Sequence, residues 1–188
     1  MPRPSDARTR LIRVSAALFR QRGYDGVGLN EILAAASAPK GSFYHHFPEG
    51  KEQLGEAVIR HSGAEMGKAI DSAMEGARDL ASGLRALVGG LADWFERSGF
   101  SEGCPVTSIA LDTSLRIGSH AAAVREVFAD WEAKLVGHAR RLNESSFSAS
   151  DAEHLIMLVE GAWILARVQQ SKEPLHRAIE AFLVGWNG

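Results

Sequence analysis

The chain of 188 residues has a single cysteine, and it lacks any long apolar run. A membrane-spanning helix needs roughly 18 uninterrupted apolar residues, and no stretch of this sequence approaches that length. With Cys104 as the only cysteine, no disulfide can form within the chain. The N-terminal segment also lacks the apolar stretch that follows the basic residues of a secretory signal. We therefore expect a cytoplasmic protein without a membrane partner.

Sequence patterns typical of enzymes and metal sites are also missing. The sequence contains no GxSxG nucleophile motif, no glycine-rich phosphate loop and no paired-carboxylate pattern. His45 and His46 are adjacent, so on a helix their side chains point about 100° apart. No cysteine or acidic residue stands at zinc-ligand spacing from them. We expect no enzymatic activity, no metal site and no cofactor.

The net charge of −2 is the sum of two unlike parts. Residues 1–48 hold seven basic and three acidic side chains, whereas the remaining 140 residues hold 14 basic and 20 acidic ones. A basic end on an acidic body is typical of a protein that binds a polyanion at one end only.

Apolar residues recur at helical spacing through nearly the whole sequence, and no stretch of strict alternation predicts a strand. The sequence predicts an all-α fold of about nine helices. The segment Leu155–Ala166 is apolar nearly all round, with Glu160 as its only charged residue. Such a helix must be covered on both sides. Either the core covers one side and a second subunit the other, or the helix is enclosed entirely by its own domain.

Residues 29–47 have the spacing of a helix-turn-helix, with a short break at Ser37-Ala38-Pro39. In the second helix Phe43 and Phe47 share one face, and His45 lies on the opposite face. That opposite face is small, polar and free of carboxylates, so it can approach bases and phosphates closely. A helix that is merely exposed to solvent is the alternative interpretation.

Two sets of segments resemble a known family. The first set is Ala17-Leu18-Phe19, Gly23-Tyr24, Glu31-Ile32, the run from Lys40 to Phe47, and Lys51-Glu52-Gln53-Leu54. The second set is Gly103-Cys104-Pro105-Val106, Ala110-Leu111-Asp112, Glu160-Gly161-Ala162, Ala166-Arg167 and Glu173-Pro174-Leu175. The first set resembles the DNA-binding domain of TetR-type regulators, and the second is similar to the LmrA/YxaF-like branch of that family.

The resemblance implies a repressor that a small aromatic or drug-like effector releases from a palindromic operator in double-stranded DNA. It implies a helix-turn-helix DNA-binding domain of three helices over 1–50 and a connecting helix over 51–75. A ligand-binding and dimerisation domain follows over 76–188. The homodimer would form through helices at about 151–170 and 174–187.

The resemblance also assigns individual contacts by position. Phosphates would be contacted by Tyr44, His46 and Lys51, and the residues nearest the base edges would be Lys40, Gly41, Ser42 and His45. Where the family often has threonine this chain has Val27, so Gly28 or Asn30 is expected to cap the second helix. Ser37 stands where the family has the glycine of the turn. A left-handed backbone conformation has a higher free energy for serine than for glycine.

Ligand contacts are harder to predict, because most aromatic residues at helical spacing belong to the core. Four residues are candidates to line an effector pocket: Trp94, Phe128, Trp131 and Trp163. Two other functions stay open. The chain could be a small-molecule-binding protein or enzyme without a DNA function, or its basic end could bind RNA or a protein. Cys104 is expected at a helix start, either as packing or as a redox-sensitive thiol.

Overall fold

The computed structural model describes residues 4–186, and over that range the chain is all-α, as predicted, with nine helices and no strand. The helices are α1 Pro4–Arg22, α2 Leu29–Ala35, α3 Lys40–His46, α4 Lys51–Glu75, α5 Leu80–Arg97, α6 Pro105–Thr113, α7 Gly118–Arg141, α8 Ala149–Gln169 and α9 Glu173–Trp186. Among the described residues, none of these helices combines the length and the apolar character that a membrane span requires.

The chain divides into two compact units. The first contains the described residues up to Ala64 together with Gly103–Val127, and the second contains Glu65–Glu102 together with the described residues from Phe128 onward. Two helices, α4 and α7, contribute residues to both units.

The core of the first unit forms where α1 packs against α2, α3 and α6. Phe19 of α1, Ile32 of α2 and Phe43 of α3 are completely buried there. Full burial of side chains of this size contributes about 1.5–3 kcal/mol each. Gly23 ends α1 with a positive φ of 74° and donates its backbone N–H to the Phe19 carbonyl oxygen at 2.9 Å. Glycine takes this left-handed backbone at little steric cost, so it is a common helix terminator.

The second unit is built around α9, which packs on α5 and α8. The three helices bury regularly spaced apolar residues, among them Leu84 of α5, Leu155 of α8 and Phe182 of α9. Phe147, in the loop before α8, adds ring contacts to Phe182 at 6.4 Å and to Trp186 at 5.6 Å between centroids.

Helix α8 begins with a capping box, in which Ser148 is the N-cap residue. The Ser148 hydroxyl accepts from the Asp151 N–H at 3.3 Å, and the Asp151 carboxylate accepts from the Ser148 N–H at 2.8 Å. This reciprocal pair satisfies two backbone donors at the start of the helix, of which Asp151 is the third residue.

Candidate nucleic-acid interface

Helix α3 presents the polar face that its spacing predicts. Phe43 and Phe47 are buried, and their ring centroids lie 5.5 Å apart. The opposite side of the helix is polar. It carries exposed Lys40, Gly41, Tyr44 and His45, with half-buried Ser42 and His46 beside them.

The turn before α3 sets the direction of that helix. Ser37 has a left-handed backbone with φ of 48°, as expected from the family's glycine at this position. The next residue, Ala38, donates its N–H to the Leu33 carbonyl oxygen at 3.0 Å, which closes the end of α2. Gly28 is the N-cap of α2, one of the two caps that the sequence left open, and it makes no side-chain capping bond.

Lys51 begins α4 and is held against the turn that follows α1. Its Nζ donates to the Tyr24 carbonyl oxygen at 2.6 Å and lies 4.0 Å from the centre of the Tyr24 ring. Burial lowers the pKa of the Lys51 ammonium, and the carboxylates of Asp25 and Asp112 oppose that shift. A lysine ammonium has three N–H donors, so the bond to Tyr24 leaves two for another acceptor.

The turn at residues 23–25 is also held from α6. One carboxylate oxygen of Asp112 accepts from the N–H of Tyr24 at 2.7 Å and from the N–H of Asp25 at 3.1 Å. Arg116 donates to the Asp25 carboxylate and to the Asp112 carbonyl oxygen, both at 2.7 Å. Sequence reasoning gave no role to Asp112 because 88 residues separate it from Tyr24. The signal present was its place in the segment Ala110-Leu111-Asp112.

His120 of α7 is completely buried, and its ring centroid lies 5.2 Å from that of Tyr24. Its Nε2 lies 2.8 Å from the Glu52 carbonyl oxygen, and its Nδ1 lies 3.0 Å from the Thr113 hydroxyl. A carbonyl oxygen only accepts, so Nε2 carries the proton in this bond. Gly55 makes room for the ring, because a Cβ at that position would lie 2.6 Å from it. The start of α4 is thus joined to α6 and α7 within the first unit.

The second unit contains a small apolar cavity of about 50 Å³. Its walls come from four helices and include Met66 and Ile70 of α4, Trp131 of α7, and Glu160 and Trp163 of α8. Two of the four aromatic residues proposed from the sequence, Trp131 and Trp163, therefore lie in its wall. The other two are outside that lining but in ring contact with it, with centroid distances of 5.9 Å from Trp94 to Trp163 and 5.3 Å from Phe128 to Trp131.

A second apolar surface lies on the outside of α8 and α9. Its residues are large, apolar and between 52% and 79% exposed: Met157, Ile164, Leu165, Val168 and Val184. On α8, Met157 and Ile164 lie seven residues apart, which is two helical turns, and Leu165 and Val168 follow beside them, so the four form one stripe along the helix. The buried residues of the same helix, such as Ala162 and Ala166, lie on a different face. We call this stripe the α8–α9 patch.

Comparison with known proteins assigns the family. Residues 11–58 match the bacterial regulatory proteins of the tetR family. Residues 80–181, more than half of the chain, match the C-terminal domain of LmrA/YxaF-like transcriptional regulators. The protein is a TetR-family transcriptional regulator of the LmrA/YxaF-like branch.

Relatives of this regulator share its length as well as its motifs. The HTH-type transcriptional regulator LmrA of Bacillus subtilis is 32% identical over 171 residues, which cover 90% of this chain and 91% of LmrA. The same organism has an uncharacterized HTH-type transcriptional regulator, YxaF, that is 31% identical over 174 residues. These residues cover 90% of this chain and 90% of YxaF. These relatives are named as regulators and not as enzymes.

Solved structures of the family have the same fold as this regulator. The reduced form of NemR from Escherichia coli has a TM-score of 0.84 at 27% identity, covering 94% of this chain and 95% of that one. A TetR regulatory protein from Rhodobacter sphaeroides has a TM-score of 0.83 at 28% identity, covering 94% and 96%. The helices described over residues 4–186 therefore have the fold of this family.

Proposed function

We propose that this regulator is a repressor that binds a palindromic operator as a homodimer and is released by a small-molecule effector. The observation that supports DNA contact most directly is the face of α3, which is exposed, polar and free of carboxylates. Among its relatives, NemR of Escherichia coli and DhaR of a Mycobacterium are named as transcriptional repressors.

We assign the DNA contacts to residues 1–50 and the start of α4. In this assignment α3 lies in the major groove, and its residues nearest the bases are Lys40, Gly41, Ser42 and His45. Tyr44, His46 and Lys51 contact phosphates on either side. Lys51 stands at the start of α4, where its charge opposes the helix dipole, and a phosphate there relieves that conflict.

The dimer would form through the α8–α9 patch. A contiguous exposed apolar stripe on a protein in water is typical of an interaction surface. A two-fold dimer pairs the same patch of both subunits, and two recognition helices related by that axis read a palindromic site. The acidic balance of the chain beyond residue 48 favours an orientation in which only the basic end faces DNA.

The effector would occupy the cavity in the second unit, in the domain that we assign to residues 76–188 with the connecting helix α4. Met66 and Ile70 of α4 line that cavity, and α4 begins at Lys51. An effector that favours a displaced α4 would shift the population of dimers away from the spacing that the operator requires. We place this regulation in the cytoplasm, where the DNA is.

Footprinting on the DNA upstream of the regulator's own gene tests the proposal. We expect protection with two-fold symmetry, and an affinity that falls steeply with salt because phosphates are neutralised. Absence of a specific footprint at any site in that region, with the folded dimer present, would overturn the assignment. A footprint on only one half-site would contradict the dimeric arrangement while leaving DNA binding intact.

A further inference from the structure

Helix α1 carries positive charge without opposing carboxylates. Residues 7–22 contain five arginines and neither aspartate nor glutamate. In the first half of that range Arg8 and Arg13 are exposed and Arg10 is half-buried. A run of one charge sign on an accessible helix is typical of a surface that meets a polyanion.

Two of these arginines contact the residues that come before and after α3. The guanidinium carbon of Arg8 lies 5.4 Å from the centre of the Phe47 ring, and Phe47 is the residue that ends α3. The Arg10 Nε donates to the Ala36 carbonyl oxygen at 2.7 Å, and Ala36 is the last residue of α2 before the turn that leads to α3. One guanidinium group is thus anchored on the segment before α3 and one on the residue that ends it.

We propose that Arg8 and Arg10 contact operator phosphates on the two sides of the major groove that α3 enters. This inference rests on the docking of α3 under the proposed function and adds two contacts from α1 to it. With seven residues α3 is about 10 Å long, and the major groove is about 12 Å wide between its phosphate backbones. Cations anchored before and after α3 are therefore within side-chain reach of both backbones.

Both guanidinium groups keep donors for a phosphate in these positions. A guanidinium has five N–H donors, and the bond to Ala36 uses the one on the Nε of Arg10. The contact of Arg8 with a ring face is electrostatic and uses no N–H donor. Because these contacts already orient the side chains, less conformational freedom is lost when a phosphate binds. The planar fork of arginine then suits two phosphate oxygens at once.

Salt dependence distinguishes a phosphate contact from a purely structural role. Gel-shift titrations of the full chain use the operator and a duplex of equal length and unrelated sequence. R8Q and R10Q should each lower the slope of log affinity against log salt by about 1, and the double variant by about 2. The affinity ratio of wild type to each single variant should shrink roughly 3.5-fold between 50 and 200 mM salt. A variant that only loses folded protein would bind less at every salt concentration with an unchanged slope.

Three further variants control for charge and position. R8K and R10K keep the positive charge, so their slopes should stay close to that of wild type. Arg13 is the matched control, because it is exposed on the same helix and lies about 140° around the helix axis from Arg8. R13Q removes the same charge and should keep the wild-type slope. Ethylation interference then locates the contact, since one interfering phosphate of each half-site should disappear in R8Q.

The outcomes distinguish this inference from the proposed function. Unchanged slopes in R8Q and R10Q with an intact operator footprint overturn the two contacts and leave the proposed function standing. An equal loss of slope in R13Q also overturns them, because the effect would then come from overall charge. If the slopes fall as expected on the unrelated duplex but no operator is protected, the phosphate contacts stand and the proposed repressor role is wrong.

Discussion

The Lys51 ammonium and the Tyr24 ring are in cation–π contact, 4.0 Å apart from nitrogen to ring centre, and Lys51 also donates to the Tyr24 carbonyl oxygen. The first residue of α4 is thereby fixed to the turn that ends α1. Asp112 and His120 hold the same turn from α6 and α7. The proposed phosphate contact of Lys51 therefore belongs to a network that spans the first unit.

Replacement of Lys51 by glutamine should lower the affinity for the operator and also make that affinity less dependent on salt concentration. Loss of one phosphate contact lowers the slope of log affinity against log salt by about 1. Gel-shift titrations at several salt concentrations measure both quantities. Lys68→Gln is the control, since Lys68 lies on the same helix but is exposed and paired with Glu65. An unchanged slope in Lys51→Gln would exclude Lys51 from the phosphate contacts.

Replacement of His45 by alanine should reduce operator affinity by about 1–3 kcal/mol and relax sequence preference at one position of each half-site. His45 is exposed on α3, so its loss should leave the free energy of unfolding nearly unchanged. Competition between the operator and single-base variants measures the preference. The exposed His154 of α8 supplies the control, and His154→Ala should bind as wild type. Equal affinities for His45→Ala and wild type would remove His45 from the interface.

Replacement of Asp112 by alanine should destabilise the first unit by about 1–3 kcal/mol, because two backbone N–H groups lose their acceptor. Urea unfolding measures the change. Asp130→Ala, at an exposed position of α7 in the second unit, is the control and should cost little. We expect operator affinity to fall in Asp112→Ala as well. Identical unfolding midpoints for the two variants would show that the contact contributes nothing to stability.

The Tyr24 phenol should titrate far above its ordinary range. Burial, with the nearby Glu52 and Asp25 carboxylates, raises the pKa of Tyr24 from 10.0 to about 12. The folded state therefore keeps a proton that the unfolded chain releases near pH 10. This contribution to stability is complete below pH 10 and is lost as the pH rises to about 12.

Ultraviolet titration of phenolate checks this directly, because the chain has only two tyrosines and Tyr44→Phe leaves Tyr24 alone. We expect a midpoint at about 12 in the native protein and about 10 in urea. A native midpoint near 10 would mean that Tyr24 is solvated, contrary to its burial.

A charge in the α8–α9 patch should dissociate the dimer. Val168 is 79% exposed in the single chain, and we expect Val168→Glu to raise the dimer dissociation constant at least tenfold, about 1.4 kcal/mol. Sedimentation at several protein concentrations measures it. Leu115 is fully exposed but lies in the first unit, so Leu115→Glu should remain dimeric. If Leu115→Glu dissociates the dimer and Val168→Glu does not, the interface lies elsewhere.

The sequence by itself determined the local features of this protein. Apolar periodicity placed the helices, and the spacing of Phe43 and Phe47 showed which face of α3 is buried, since both depend on residues a few positions apart. The start of α4 near Lys51 follows from the same apolar spacing, whereas the left-handed turn at Ser37 was implied only by the glycine that the family has at this position.

Only the tertiary structure decided which residues that are far apart in the sequence come into contact. No pattern within α6 indicates that the Asp112 carboxylate reaches the Tyr24 N–H, because side-chain contacts across 88 residues depend on how whole helices pack. The same holds for the cavity, whose lining includes Trp131 and Trp163 but not Trp94, although Trp94 is in ring contact with Trp163. Helical spacing predicts which residues are apolar and buried, but the packing of neighbouring helices decides which of them border empty space.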